Sequence, residues 1–187
     1  MTYTYGAASQ RNPSAVGNVV GRITHITDGA GTEDRLYGPL GEIVRETRAI
    51  RIQGNQVLTY VTQYQFGTWN RIHAITYPDQ PNGEVVRYFY DSGGLVNGVT
   101  GNDDQLETAY AARIDYDKFG QRLLIDTGNG TRTTYAYRAD NRQLTNVKAT
   151  LAMGYTFNDF AFTFDNVGNL TGLQNNVQPP AASPALQ

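Results

Sequence analysis

The chain has 187 residues, a formal net charge of −2 at pH 7 and no cysteine. This length fits one domain or a piece of a larger protein. The slightly acidic balance argues against a nucleic-acid-binding surface, which would be basic, and only two lysines, Lys118 and Lys148, leave no polybasic stretch for a membrane surface. Without cysteine there are no disulfides, thiolate metal sites or cysteine nucleophiles. The 20 glycines and 13 tyrosines favour an all-β chain with many turns.

The N-terminal stretch, residues 1–18, contains no apolar segment of the kind that a signal peptide needs. Tyr3-Thr4-Tyr5 followed by Gly6 allows two interpretations, a degenerate first repeat unit or a disordered lead. Nowhere does the sequence approach the roughly 20 consecutive apolar residues of a transmembrane helix.

Alternating apolar and polar residues predict a series of strands in the first half of the chain. The predicted strands are 19–26, 35–37, 42–52 and 57–65, with turns at 28–31 and at Gly54-Asn55. Trp69 follows the last of these strands in a turn. We expect it to be a packing residue, because tryptophan is usually largely buried.

The second half continues in the same way, with one ambiguous region. Pro78 ends a strand at 72–77, because proline has no amide donor, and a surface loop to residue 83 leads into a strand at 85–90. Residues 102–112 fit a short helix or an extended loop. Residues 114–147 predict a meander with a four-residue turn at 117–120 and a two-residue hairpin turn at Asn129-Gly130. Strands at 157–164 and 170–173 precede a proline-rich tail.

An internal repeat organises these elements. The last aromatic residue of each unit serves as an anchor, and successive anchors lie about 20 to 30 residues apart, as in repeat architectures. The anchors are Tyr37, Phe66, Tyr90, Tyr116, Tyr137 and Phe164. The residue four positions after each anchor is always glycine or asparagine, the types that most readily enter the left-handed region: Gly41, Asn70, Gly94, Gly120, Asn141 and Gly168. Asp91, Asp117 and Asp165 directly follow their anchors, whereas Gly38, Gly67 and Arg138 stand there in the other units.

Two segments carry a resemblance to a known family. Tyr88 to Gly94 and Tyr116 to Arg122 resemble the tyrosine–aspartate (YD) repeats of the Rhs proteins, which are related to the Tc toxin B and C components, the SpvB-like shells and the teneurins. The resemblance covers about residues 20 to 175. The sequence departs from the family pattern where another residue replaces the aspartate after the anchor, and at Phe66 and Phe164, where tyrosine is usual.

The resemblance implies an antiparallel β-ribbon, a segment of a larger coiled shell that encloses a C-terminal toxin or other cargo. The implied partners are the remaining YD repeats of a longer chain and that cargo, and the implied location is secreted or at a bacterial cell surface, with delivery by a secretion system. The implied division is a lead or first unit at 1–18, the YD-repeat ribbon at 19–175 and a Pro/Ala-rich linker at 176–187. The unpaired edges of such a segment also predict self-association or a partner strand.

The sequence offers little for catalysis. His25 and His73 each lie in an alternating strand pattern, outside any recognisable nucleophile motif, and the Asp28-Gly29 cluster lacks the ligand spacing of an EF-hand loop. The autoproteolytic motif that the Rhs resemblance would require for cleavage is not found. We therefore expect no enzyme, cofactor, metal or nucleic acid, and a structural function. An extracellular carbohydrate- or receptor-binding adhesion module is the alternative, since exposed tyrosine and tryptophan could bind sugars.

Overall fold

A computed structural model describes residues 1–7, 18–78, 83–103 and 106–177. Within them the regular structure consists of fourteen strands and one short 3-10 turn, Gln53–Asn55, so the all-β prediction is confirmed. The strands are β1 Thr2–Tyr5, β2 Ile23–Thr27, β3 Gly31–Tyr37, β4 Ile43–Arg51, β5 Val57–Phe66, β6 Ile72–Thr76, β7 Val85–Tyr90, β8 Val96–Asp103, β9 Leu106–Tyr116, β10 Arg122–Thr127, β11 Arg132–Tyr137, β12 Leu144–Thr150, β13 Thr156–Phe164 and β14 Leu170–Asn175.

The described residues between 102 and 112 belong to strands β8 and β9. The sequence predicted a short helix or an extended loop here, and both interpretations are wrong. The later part of β9 pairs with β10: Ile114 lies opposite Ile125, and Arg113 lies opposite Asp126. Cross-strand pairing of this kind outweighs the weak helical spacing of Leu106 and Tyr110.

The chain divides into two compact units. The first comprises Met1–Phe89 and Thr100–Thr108, and the second comprises Tyr90–Val99 and Ala109–Gln187. In the first unit, β1 to β7 pair with their neighbours in chain order, and every ladder is antiparallel. In the second unit, β9 to β14 do the same. The predicted meander of antiparallel hairpins is therefore confirmed in each unit.

One face of the second unit carries several aromatic side chains. Tyr135, Val147 and Phe160 lie directly opposite one another on three neighbouring strands, and Phe162 pairs with Leu173 on the same face. These side chains are only partly shielded from solvent. Cross-strand aromatic and β-branched pairs contribute about 0.2 to 1 kcal/mol each to stability. The sum of these contributions stabilises the sheet in place of a deep core.

In the first unit, β3, β4 and β5 carry a network of charged side chains. Arg35 Nη2 lies 2.6 Å from Glu33 Oε1, and Arg48 Nη1 lies 3.2 Å from Glu33 Oε2. Tyr64 donates from its hydroxyl to Glu46 Oε2 at 2.9 Å. Partial burial, followed by this hydrogen bond to a carboxylate, raises the pKa of Tyr64 to about 12. Both carboxylates thus have partners within the network, as half-buried charges require.

Trp69 is 79% exposed, so the prediction that it is a buried packing residue is wrong. It lies in the loop between β5 and β6, where the backbone reverses within four residues. The guanidinium carbon of Arg71 lies 5.9 Å from the centroid of the indole ring. No helix in the described part of the chain is long and apolar enough to cross a membrane.

Candidate functional site: the repeating turn

The turn at Asp117 shows the geometry on which the repeat is built. The Asp117 amide donates to the Gln121 carbonyl at 2.8 Å, and the Gly120 amide donates back to the Asp117 carbonyl at 3.0 Å. Gly120 has φ 78°, in the left-handed region. This is a three-residue hairpin loop closed by a left-handed residue, as the sequence predicted for 117–120.

The same pair of backbone hydrogen bonds recurs along the chain. It joins the first residue of the turn to the residues three and four positions later in the turns that begin at Gly38, Gly67, Asp91, Thr127, Leu151 and Asp165. At the predicted glycine and asparagine positions, φ is 85° at Gly41, 52° at Asn70, 87° at Gly94 and 90° at Gly168. These residues therefore lie at the left-handed position of their turns, where a side chain with Cβ is disfavoured.

The turn at 127–130 has a longer loop than the sequence suggested. Gly130 has φ 81°, whereas Asn129 does not have a positive φ. A two-residue type I′ turn needs positive φ at both central residues, so the two-residue prediction is wrong. Asn129 instead accepts hydrogen bonds from Thr127 Oγ1 at 2.6 Å and from the Thr131 amide at 3.0 Å, which caps the loop from within.

Among the six residues that lie four positions after an anchor, Asn141 is the one that is not left-handed. Arg142 takes this conformation instead, with φ 64°. The reason is a loop that is one residue longer: the Arg138 amide donates to the Gln143 carbonyl, and the Arg142 amide donates to the Arg138 carbonyl. The left-handed position thus moves from four to five residues after Tyr137. Asn141 caps the loop by accepting the Gln143 amide at 3.1 Å.

The aspartate that follows an anchor caps its own turn. Asp117 Oδ1 accepts the amides of Phe119 and Gln121, each at 2.9 Å. Asp91 Oδ1 accepts the Leu95 amide at 2.9 Å. A single carboxylate oxygen therefore satisfies loop amides that would otherwise have no protein partner.

Asp165 makes the most extensive cap. Its Oδ1 accepts the amides of Val167 at 3.0 Å and Asn169 at 2.8 Å, and its Oδ2 accepts from Asn169 Nδ2 at 2.8 Å. The side-chain bond from Asn169, followed by the backbone amide bonds, holds the pKa of the Asp165 carboxyl below its usual value. The charged carboxylate is therefore the form that stabilises this turn.

Three anchor tyrosines, Tyr37, Tyr116 and Tyr137, each connect their repeat unit to the preceding one. Tyr116 donates from its hydroxyl to the Val96 carbonyl at 2.9 Å, two residues after the left-handed Gly94. The same relation recurs from Tyr37 to the Ile23 carbonyl at 2.6 Å and from Tyr137 to the Arg122 carbonyl at 2.9 Å. In each case the acceptor lies two residues after a left-handed glycine, Gly21 or Gly120.

The sequence pattern reveals these tyrosines but not their acceptors. The distance along the chain from glycine to tyrosine differs between units, so no fixed spacing reveals the bond. The available signal was the choice of tyrosine over phenylalanine at the anchor, since only tyrosine carries a hydroxyl. Phe66 and Phe164 lack this donor.

Successive turns also contact one another through side chains. Leu95 follows the left-handed Gly94, and its Cδ1 lies 3.8 Å from the position that a Cβ on Gly120 would occupy. Gln143 follows Arg142, and its Nε2 lies 3.4 Å from the corresponding position at Gly168. In both cases the residue that follows one left-handed position therefore packs against the left-handed residue of another turn.

Arg142 joins a further pair of turns, because it contacts the turn at 117–120. Its guanidinium carbon lies 3.6 Å from the centroid of the Phe119 ring, and its carbonyl accepts a hydrogen bond from Gln121 Nε2 at 2.9 Å. Its Nη1 lies 3.8 Å from Asp117 Oδ2. A cation–π contact and an ion pair thus connect the turn at 117–120 with the turn at 138–142.

The described residues contain no group of three or more side chains suited to bind a metal ion. His73 lies on β6 and His25 on β2, as their strand patterns predicted. Asp28 caps its own turn: its Oδ1 accepts the amides of Ala30 at 2.8 Å and Gly31 at 2.9 Å. These two bonds lower the pKa of the Asp28 carboxyl.

Two curated proteins are similar in sequence. The chain is 27% identical to the toxin subunit YenC1 of Yersinia entomophaga over 133 residues, which is 65% of this chain and 13% of that protein. It is 30% identical to the toxin subunit YenC2 of the same organism over 70 residues, which is 35% of this chain and 7% of that protein. The chain thus corresponds to a small part of these relatives. No protein-family model matches it.

Solved structures share the fold. A crystal structure of TcdB2-TccC3-Cdc42 aligns with a TM-score of 0.78 and 22% identity, over 87% of this chain and 8% of that one. A structure of the Photorhabdus luminescens Tc holotoxin pore aligns with a TM-score of 0.78 and 21% identity, over 86% of this chain and 8% of that one. The resemblance to the Rhs and YD-repeat Tc toxin components is confirmed. In this chain the tyrosine of the YD repeat bonds to the backbone of the preceding repeat unit, and the aspartate caps its own turn.

Proposed function

We propose that this chain is a non-catalytic structural segment of a YD-repeat shell that encloses a toxin or effector cargo. The observation that carries the proposal is the tyrosine–carbonyl bond of Tyr37, Tyr116 and Tyr137, together with the aspartate that caps its own turn, as at Asp117. In these units the tyrosine and the aspartate both have structural roles. Similarity to toxin subunits supports the same conclusion.

In this proposal the partners are further YD repeats of a longer chain and a C-terminal toxin. Residues 19–175 form the repeat ribbon, 1–18 a first unit or lead, and 176–187 a linker. Residues 8–17 and 178–187, which include most of the proposed lead and linker, lie outside the described residues. We also place the protein outside the producing cell, secreted or at the bacterial surface, because the toxin relatives support this location.

Protease protection in the full-length protein tests the encapsulation. We expect the region that follows the repeats to resist a protease while the ribbon is folded, and to be cut quickly once mild denaturant opens the ribbon. The matched control is the same C-terminal region expressed alone, which should be cut quickly in both conditions. Equal cleavage rates with and without the folded ribbon would contradict the proposal.

Surface recognition is a second candidate, and the exposure of Trp69 favours it. The indole is 79% exposed beside Arg71, an arrangement on which a sugar ring can stack. Binding to a glycan array that disappears in Trp69→Ala, but persists in a Tyr155→Ala control, would support an adhesion module. Identical array profiles for wild type and Trp69→Ala would mean that Trp69 gives no support to the adhesion function.

A further inference from the structure

Three polar side chains form a hydrogen-bonded chain on one face of the first unit. His25 and Asp34 lie directly opposite each other on β2 and β3. Thr27 follows His25 by two residues on the same strand, so it projects from the same face. The register of the hairpin therefore brings a hydroxyl, an imidazole and a carboxylate together, none of which takes part in the repeating turn.

The distances define the order of the three groups. His25 Nδ1 lies 2.6 Å from Asp34 Oδ1, and His25 Nε2 lies 2.9 Å from Thr27 Oγ1. A carboxylate oxygen can only accept, so Nδ1 carries the proton in this pair, and the neutral ring then presents the lone pair of Nε2 to the threonine hydroxyl. Enzymes that use a hydroxyl group as nucleophile have the same arrangement of nucleophile, base and orienting acid.

The surroundings leave the site open to small reagents. The side chains of His25 and Asp34 are 35% and 59% exposed, and Thr27 is half-buried. Its cross-strand neighbours are Thr2 on β1 and Thr32 on β3, both uncharged. A small acyl donor can therefore approach Thr27 from the solvent side of the sheet without displacing a charged group that pairs with it.

We propose that Thr27 is an acyl-acceptor site, activated by His25 and oriented by Asp34, that reacts with activated acyl donors such as aryl esters. Thr27 Oγ forms a bond to the acyl carbon, and the bond from that carbon to the leaving aryloxide breaks. The hydroxyl proton passes to His25 Nε2 and then to the aryloxide. The product is an O-acyl threonine. This site goes beyond the proposed structural function and does not depend on it.

The geometry provides a nucleophile and a base on an open face, so the expected reaction is one acylation per chain and not rapid turnover. A positioned general base typically accelerates a reaction about 10²- to 10⁴-fold. Because this face is exposed, we expect a smaller acceleration. Thr27 should be acylated about ten-fold or more faster than a threonine that has no such base.

Labelling with p-nitrophenyl acetate followed by peptide mass spectrometry tests the proposal. Thr47 is the internal control, because it lies on the same face, opposite Asp34, and is also half-buried. We expect acetylation of Thr27 to exceed that of Thr47 by about ten-fold or more. His25→Gln should reduce Thr27 labelling to the level of Thr47, and Thr27→Ser should retain labelling at residue 27.

Asp34→Asn provides an independent variant, because an amide can stabilise the wrong imidazole tautomer while it leaves the size of the side chain unchanged. Labelling of Thr27 should fall in this variant, and circular dichroism of all variants checks that the fold is intact. Labelling of Thr27 within two-fold of Thr47 in the wild type would overturn the proposal. So would labelling that persists in a folded His25→Gln variant, or an acetyl group that remains on His25 without reaching Thr27.

Discussion

At the scale of single residues, the tyrosine hydroxyl distinguishes the YD repeat from a generic aromatic hairpin. Phenylalanine at an anchor can fill the same space, but only tyrosine donates to the backbone of the preceding unit, as Tyr116 does to Val96. A net contribution of about 0.5 to 1.5 kcal/mol is typical for such a bond. Repeated at Tyr37 and Tyr137, this bond becomes a regular connection between units.

Tyr116→Phe should lower the free energy of unfolding by about 1 kcal/mol, because it removes the hydrogen bond and leaves the Val96 carbonyl without that donor. Tyr155→Phe is the control: Tyr155 is 56% exposed and follows the turn at 151–154, and its substitution should change stability by less than about 0.5 kcal/mol. Urea unfolding monitored by circular dichroism measures both. Equal losses in the two variants would contradict the proposed role of the anchor hydroxyl.

Gly120→Val should be clearly more destabilising than Lys118→Ala in the same turn. At Gly120 a Cβ would meet only Leu95 at 3.8 Å, an ordinary contact, so the penalty comes from the backbone at φ 78° and not from a clash. A non-glycine residue in this region costs about 1 to 3 kcal/mol, and more for a β-branched one. Equal melting temperatures for the two variants would count against the left-handed turn.

At the scale of the element, one hairpin loop accommodates different sequences in the same geometry. Aspartate caps the loop at Asp117 and Asp165, whereas Asn129 caps the loop that begins at Thr127. The loop requires an oxygen acceptor for its amides and a residue that tolerates positive φ, and several side chains meet the first requirement. Departures from the YD pattern therefore change the cap and leave the hairpin in place.

The Asp165 cap should make stability depend on pH in acid. The folded-state pKa of this carboxyl lies below its ordinary value of 3.8. Its contribution is therefore fully present above about pH 4 and is lost as pH falls through the lowered pKa. Chemical unfolding from neutral pH to about pH 2 should show the stability difference between wild type and Asp165→Asn shrinking below pH 4. Parallel pH curves for the two proteins would exclude this role for the charged cap.

At the scale of the whole molecule, the strands bury little and leave apolar surface exposed. Among the described residues the buried apolar side chains are small in number: Tyr37, Ala74, Val86 and Ala149. β1 and β14 each have a described neighbour on one side only. An edge strand of this kind presents unpaired amides and carbonyls to another chain. Isolated from partners, the protein should therefore tend to self-associate.

Leu173→Lys on β14 should reduce self-association, because a charge on an edge strand opposes pairing with another strand. Leu173 is 59% exposed. The matched control is Leu106→Lys on β9, since Leu106 is 72% exposed and the substitution changes the net charge equally. Sedimentation velocity over a range of concentrations should show a lower mean mass for Leu173→Lys than for the control. A wild-type protein that stays monomeric at high concentration would argue against open edges.

The sequence by itself determined the all-β class, the antiparallel order and most turn positions, because glycine, asparagine and alternating apolar residues act through local backbone geometry. It could not locate the left-handed residue at Arg142, since the length of that loop depends on where Tyr137 and Leu144 pair. Nor could it show that Trp69 is exposed.

Only the tertiary structure decided the contacts between residues on different strands. The Tyr116 bond to Val96 and the meeting of His25 with Asp34 depend on cross-strand register, which joins residues at distances along the chain that vary from unit to unit. Pairing energy summed over whole strands sets that register, and the local pattern around any single residue does not contain it.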